Sequence, residues 1–122
     1  VRALYKMRIM PPKQNPLKLN ALQLKTLTIL QQLARFPETA STDAATGDII
    51  IGQLPHAHGN HFHCGDAVVM TSDATGLFNA GVWKALERKG LARAMAHGAV
   101  LTADGAAYET GLADKILHRA DH

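Results

Sequence analysis

The sequence predicts an α+β fold in which capped amphipathic helices are interleaved with short strands, and three observations support this. A helical pattern of apolar residues covers positions 20–36 and begins with a capping signal. Two apolar, β-rich runs at 49–51 and 67–70 flank a Gly-Asn pair that is typical of a tight hairpin turn. A second helical pattern at 79–89 ends at Gly90, a residue that readily adopts the left-handed conformation of a helix C-terminus.

Length and composition limit the classes of protein that this chain can represent. Its 122 residues (13.1 kDa) correspond to one domain plus a tail, and 47% apolar residues are enough for a packed core. A single cysteine, Cys64, excludes an internal disulfide framework. No apolar run reaches the roughly 18 residues of a membrane span. We therefore expect a cytoplasmic protein with no membrane partner.

Charge is distributed unevenly along the chain. Residues 1–37 contain seven Lys and Arg and no acid, whereas residues 38–122 contain ten acids and six bases. A basic segment on a mildly acidic body is typical of proteins that bind a polyanion, because Lys and Arg release counterions when they neutralise phosphates. A solubilising tail would give the same pattern. We interpret residues 1–17, which hold three prolines, as a flexible basic arm, and residues 18–122 as the folded domain.

The first helix has a defined start and stop. Asn20 is placed to cap it, Gln23 three residues later can complete a capping box, and Pro37 ends it. A polar, small-residue segment at 38–47 follows and is predicted to be a loop. The buried stripe of the helix is expected to consist of Leu22, Thr26, Ile29, Leu30 and Leu33.

Residues 48–70 are predicted to form one long β-hairpin that turns at Gly59-Asn60. Because side chains alternate along a strand, the hairpin would place four histidines on one face within reach of a common ion. Neutral imidazoles suit Zn, with Ni or Cu as alternatives. An exposed hairpin tip can also carry histidines without a physiological metal, and adjacent Cys64 is expected to be packed rather than reactive. The candidate metal ligands are His56, His58, His61 and His63.

The second half of the chain predicts a pair of helices, a two-stranded ribbon and a final helix. A short helix near 73–78 precedes the helix at 79–89, whose buried face is predicted to comprise Phe78, Val82, Trp83 and Leu86. Two short strands, 91–96 and 99–101, then join at His97-Gly98. Thr102 is placed to cap the last helix, which Gly111 can divide.

This order of parts resembles a winged helix-turn-helix domain with a long hairpin inserted between the first helix and the helix pair. The run Val82-Trp83-Lys84-Ala85-Leu86-Glu87-Arg88-Lys89-Gly90-Leu91 resembles the end of the recognition helix in regulators of the multiple-antibiotic-resistance repressor class. The run Leu101-Thr102-Ala103-Asp104-Gly105 resembles the start of the helix that follows their wing. A toxin family that inhibits a DNA topoisomerase has a similar run of parts. The chain departs from the repressors in having a small wing and few polar residues at the start of the recognition helix.

The resemblance implies a homodimeric transcription regulator that binds double-stranded DNA. Phosphate and base contacts are expected from the helix and wing, and the candidate residues are Asn79, Lys84, Arg88, Lys89 and Arg93. One alternative is a winged-helix module that binds a protein and no DNA, as the toxin likeness suggests. Another is a metal-responsive variant of either, acting through the histidine hairpin. No nucleophile triad, glycine-rich phosphate loop or metalloprotease helix is present, so an enzyme is not expected.

Overall fold

The fold is taken from a computed structural model, which describes residues 14–119 and confirms the α+β class. Residues 1–13 of the predicted basic arm lie outside the described residues. The helices and strands are α1 (Ala21–Leu33), β1 (Ala40–Thr42), β2 (Ile49–Ile51), β3 (Ala57–His58), β4 (His61–Cys64), β5 (Ala67–Met70), α2 (Ala80–Arg88), β6 (Ala92–Ala94), β7 (Ala99–Leu101), α3 (Ala103–Ala107), α4 (Ala113–Ile116) and β8 (His118–Arg119).

Two antiparallel sheets divide the strands between them. The first sheet has the order β1-β2-β7-β6, and the second has the order β3-β4-β5-β8. A single hydrophobic core lies between the helices and both sheets. Fully buried side chains from α1, β2, β4, α2 and β7 meet in it, among them Leu27, Ile51, Phe62, Leu86 and Leu101.

The capping signals at the start of α1 are confirmed. The side-chain oxygen of Asn20 accepts from the backbone N–H of Gln23 at 2.8 Å, and the Gln23 side chain accepts from the backbone N–H of Asn20 at 3.0 Å. The helix ends at Leu33, three residues before the predicted end. The predicted loop at 38–47 contains β1, a strand with too few apolar residues to be recognised from its composition.

The prediction of one long hairpin over residues 48–70 is wrong. β2 does not pair with the strands of the histidine segment. It pairs with β1 and β7, so both of its edges are hydrogen-bonded, and Ile51 is fully buried. β5 pairs with β4 through a turn at Gly65, whose φ is +64°. Pro55, which cannot donate a ladder hydrogen bond, lies between β2 and β3 where the chain passes from one sheet to the other.

The segment from 71 to 119 follows the predicted order with local differences. Two short 3₁₀ segments, Thr71–Asp73 and Thr75–Phe78, stand where one short helix is predicted. The ribbon of β6 and β7 forms as expected. Gly111, with φ of +72°, separates α3 from α4. The short strand β8, which pairs with β5, has no signal in the sequence.

Candidate nucleic-acid interface and histidine cluster

Helix α2 presents a buried face to the core and a polar face to solvent. The Asn79 side-chain oxygen accepts from the backbone N–H of Val82 at 3.2 Å and so caps the helix. Val82, Ala85 and Leu86 are buried. Gly90, with φ of +74°, takes the left-handed conformation predicted for the residue after the helix.

Two of the predicted DNA contacts lie together on the exposed face of this helix. Lys84 and Arg88 are both exposed and are four residues apart, so their side chains project from the same side of α2. Neither forms a salt bridge with any residue in the range 14–119. By contrast, Lys25 is paired with Asp73, Nζ to Oδ1 at 2.8 Å. Lys84 and Arg88 therefore form a small cationic surface that is free to meet an anion.

Lys89 has a different role. Its ammonium group donates to the backbone carbonyl of Leu17 at 2.7 Å. The Tyr108 hydroxyl donates to Asn15 Oδ1 at 2.6 Å and accepts from the backbone N–H of Leu17 at 3.1 Å. These bonds hold residues 15–17 across the end of α2, so the described end of the predicted arm is anchored to the domain.

Arg93 projects from the side of the first sheet that is opposite to α2. It pairs with Val100, and since side chains alternate along β6, it points away from buried Ala92 and hence away from the core on which α2 packs. Asp43 and Asp48 line the same surface pocket as Arg93. The candidate DNA-binding residues therefore do not share one cationic surface, because Arg93 does not continue the surface formed by Lys84 and Arg88.

The histidine hairpin turns at Gly59-Asn60 as predicted. Gly59 has φ of +65°, and the register pairs His58 with His61 and Ala57 with Phe62. Phe62 is buried, which fixes the face of β4 that points outward. His56 lies outside this register, because β3 begins at residue 57.

Three of the four histidines contact one another. The ring centroids of His61 and His63 are 4.9 Å apart, those of His58 and His63 are 5.2 Å apart, and those of His58 and His61 are 6.3 Å apart. The Nε2 atoms of His61 and His63 lie 3.3 Å from each other. As the rings stand, no three His, Cys, Asp or Glu side chains of residues 14–119 converge on one point where a metal ion would fit. The predicted four-histidine site is thus reduced to a close pair with a third ring beside it.

Cys64 is packed, as the sequence predicts. Its side chain is fully buried on the core side of β4, and desolvation by burial raises the pKa of the thiol from 9.0 to about 11. The thiol is therefore protonated near neutral pH, which removes the reactive thiolate form.

A groove beside α2 that contains several large apolar side chains is not predicted by the sequence. Phe78 is 69% exposed and Met95 is 51% exposed. Trp83 lines the same groove, is half-buried and donates its Nε1–H to the Leu77 carbonyl at 2.9 Å. The prediction that Phe78 lies on the buried face of the helix is wrong. It precedes the N-cap residue Asn79, so the helical periodicity that was used to place it does not apply.

Comparisons of this chain with protein-family models, with curated proteins and with solved structures find no match. The resemblance to winged-helix regulators therefore stays a prediction that depends on the residues quoted for it. In residues 14–119, every helix is too short or too polar to cross a bilayer.

Proposed function

We propose that this chain is a winged-helix DNA-binding protein that presents α2 to the duplex. The order α1, β2, α2, β6, β7, α3 supports this, as does a sheet in which β7 lies between β2 and β6. One difference from a rigid helix-turn-helix is that the element before α2 consists of two 3₁₀ segments instead of a helix.

The observation that carries the proposal is the exposed and unpaired pair Lys84 and Arg88. Cations one helical turn apart can neutralise neighbouring phosphates along a groove. Asn79, at the exposed start of α2, uses its side-chain oxygen for the cap and retains its amide N–H groups for a base or a phosphate. Lys89 and Arg93 are assigned a peripheral part, because one is bonded to Leu17 and the other faces away.

The binding of a fluorescent mixed-sequence duplex, followed by anisotropy as salt is raised from about 50 mM, tests the proposal. Lys84→Ala and Arg88→Ala are each expected to weaken binding to all sequences and to lower the salt slope by about 1. Lys115→Ala, which removes one exposed charge from α4, is the matched control and is expected to leave the slope unchanged. An absence of binding at about 50 mM salt, or an equal loss in the Lys115 variant, would remove this function.

The groove at Phe78 favours a second candidate, a protein-interaction module without DNA binding. The residues that line its volume of about 560 Å³ include no Asp, Glu, Lys or Arg. Such a surface suits an uncharged partner, and a second copy of this chain could present the same face about a twofold axis. This candidate predicts a dimer in sedimentation velocity that Phe78→Ser dissociates, together with no affinity for the duplex at about 50 mM salt. A monomer at all concentrations would contradict it.

A further inference from the structure

We propose that His58, His61 and His63 form a binding site for a transition-metal ion once the His58 ring turns toward the other two, and that Zn²⁺ is the ion that the spacing of His61 and His63 fits best. The site does not depend on DNA binding, since it lies on the second sheet and uses none of the residues assigned to the duplex.

The distance between two ligand atoms is the first support. His61 Nε2 and His63 Nε2 are 3.3 Å apart. Two imidazole nitrogens bound to one tetrahedral Zn²⁺, each at about 2.0–2.1 Å, are separated by about 3.3–3.4 Å. The right-angle geometry of square-planar Cu²⁺ or Ni²⁺ would bring them to about 2.9 Å. In the metal-free chain these two atoms share a hydrogen bond, so an ion would have to displace the proton on the donating ring, which then leaves or moves to the other ring nitrogen. The spacing of the two nitrogens itself suits a tetrahedral ion without movement of the strand.

The protonation of His61 is the second support. Its Nδ1 lies 3.2 Å from the side-chain oxygen of Asn60, and an amide oxygen can only accept a hydrogen bond. A neutral His61 ring that makes this hydrogen bond donates it from Nδ1, which leaves the lone pair on Nε2. Metal-binding histidines commonly have such an acceptor on the second nitrogen, because it fixes both the tautomer and the ring orientation.

His58 supplies the third ligand. Its ring centroid is 5.2 Å from that of His63, close to the 4.9 Å between His61 and His63. It lies 6.3 Å from the His61 ring and is nearly parallel to it, at 19°. As the rings stand, the three side chains do not converge on one point. The His58 side chain is exposed at the end of β3, and rotation about its side-chain torsions can complete the site without disturbing the core. The fourth position of the ion would be open to water or to a partner's ligand.

Two exposed histidines outside the cluster provide matched controls. His56 is exposed and precedes β3, and His97 is exposed on the other sheet, in the turn between β6 and β7. Neither belongs to the three-ring cluster. If histidines bind metal here only because they are numerous and exposed, loss of either should matter as much as loss of a cluster member.

The experiment titrates the chelator-treated full chain with Zn²⁺ against a chromogenic chelator, and repeats the titration with Co²⁺ to record the absorption of a tetrahedral ion. We expect one ion per chain. His61→Ala and His63→Ala should each lower the Zn²⁺ affinity at least tenfold, and Asn60→Ala should lower it by about tenfold. His58→Ala should lower the affinity and change the Co²⁺ spectrum. His56→Ala and His97→Ala should change the affinity less than about twofold, within the uncertainty of the titration.

Each alternative outcome is decisive. Equal losses in the His56 and His63 variants, an octahedral Co²⁺ spectrum, or no Zn²⁺ binding by the intact chain would each overturn the site. Circular dichroism of the metal-free variants checks their folding. If His61→Ala, which removes a half-buried side chain, does not fold, His63→Ala, which removes an exposed one, gives the same test.

Discussion

Substitution of Gly98 by alanine is expected to destabilise the ribbon that follows α2. Gly98 lies just before β7, next to Ala99, whose partner across the sheet is Ile51 at the end of β2. A Cβ atom added there would overlap the carbonyl oxygen of Ile51 and would stand 2.8 Å from the carbonyl carbon of Gly52. Both contacts are with backbone, which cannot rotate out of the way as a flexible side chain can.

The loss of stability in Gly98→Ala can be estimated from the shift of the β6–β7 ribbon that the added Cβ requires. To reach an ordinary contact the ribbon has to shift away from β2, which strains bonds such as that from the Leu54 N–H to the His97 carbonyl, 3.0 Å long. Overpacking of this kind costs about 1–3 kcal/mol, and a weakened hydrogen bond adds about 0.5–1.5 kcal/mol. We therefore expect Gly98→Ala to lower the free energy of unfolding by about 1.5–4.5 kcal/mol, a large part of the stability of a small domain.

Urea denaturation followed by circular dichroism measures this difference. Gly52→Ala is the control, because its Cβ would lie 3.7 Å from the Thr39 carbonyl oxygen, an ordinary contact. It should change the free energy of unfolding by less than about 0.5 kcal/mol. A Gly98 variant as stable as the original chain would refute the argument that backbone contact between β2 and β7 excludes a side chain there, as would equal losses in the two variants.

Three further results are expected. Through the Cys64 thiol alone, the free energy of unfolding should fall by about 2–3 kcal/mol between pH 9 and pH 11. Burial raises the pKa of this thiol in the folded chain to about 11. The stabilising contribution of the thiol is therefore full below pH 9 and is lost as the pH rises through 11. Gln32→Ala should cost about 1–3 kcal/mol in urea denaturation, since the buried Gln32 amide donates to the Cys64 carbonyl at 3.1 Å and to Asp66 Oδ1 at 2.8 Å. Tyr108→Phe should cost about 1 kcal/mol and speed hydrogen exchange at the Leu17 amide, which loses its acceptor.

Control variants distinguish the specific causes given above from a nonspecific loss of stability. Cys64→Ala should remove the part of the alkaline loss that belongs to the thiol, and an unchanged pH profile would contradict the assignment. Gln53→Ala, at an exposed position, should be nearly neutral in urea. Faster exchange throughout α1 in the Tyr108 variant, instead of at residues 15–17, would show that the hydroxyl supports more than the anchored segment.

Local signals in the sequence determined several elements of this protein. Asn20 and Gln23 bond to each other's backbone and start α1, while Asn79 and Gly90 bound α2 and Gly59 turns the histidine hairpin. These features depend on contacts within a few residues, so they can be identified without knowing the rest of the fold. The burial of Cys64 was also predictable, because it alternates with the outward-facing histidines of β4.

Partners distant in the sequence decided the rest. β-propensity cannot determine whether Ile49–Ile51 pairs with residues 67–70 or with residues 99–101, because either partner is a short apolar strand. In the structure β2 lies between β1 and β7, and this arrangement hydrogen-bonds both of its edges. Local sequence also cannot determine which side of the sheet Arg93 occupies, or that Lys89 donates a hydrogen bond to Leu17. The sequence shows which charged and histidine side chains the protein has. Only tertiary packing determines which of them share a surface, because a shared surface depends on the pairing of distant strands and not on local spacing.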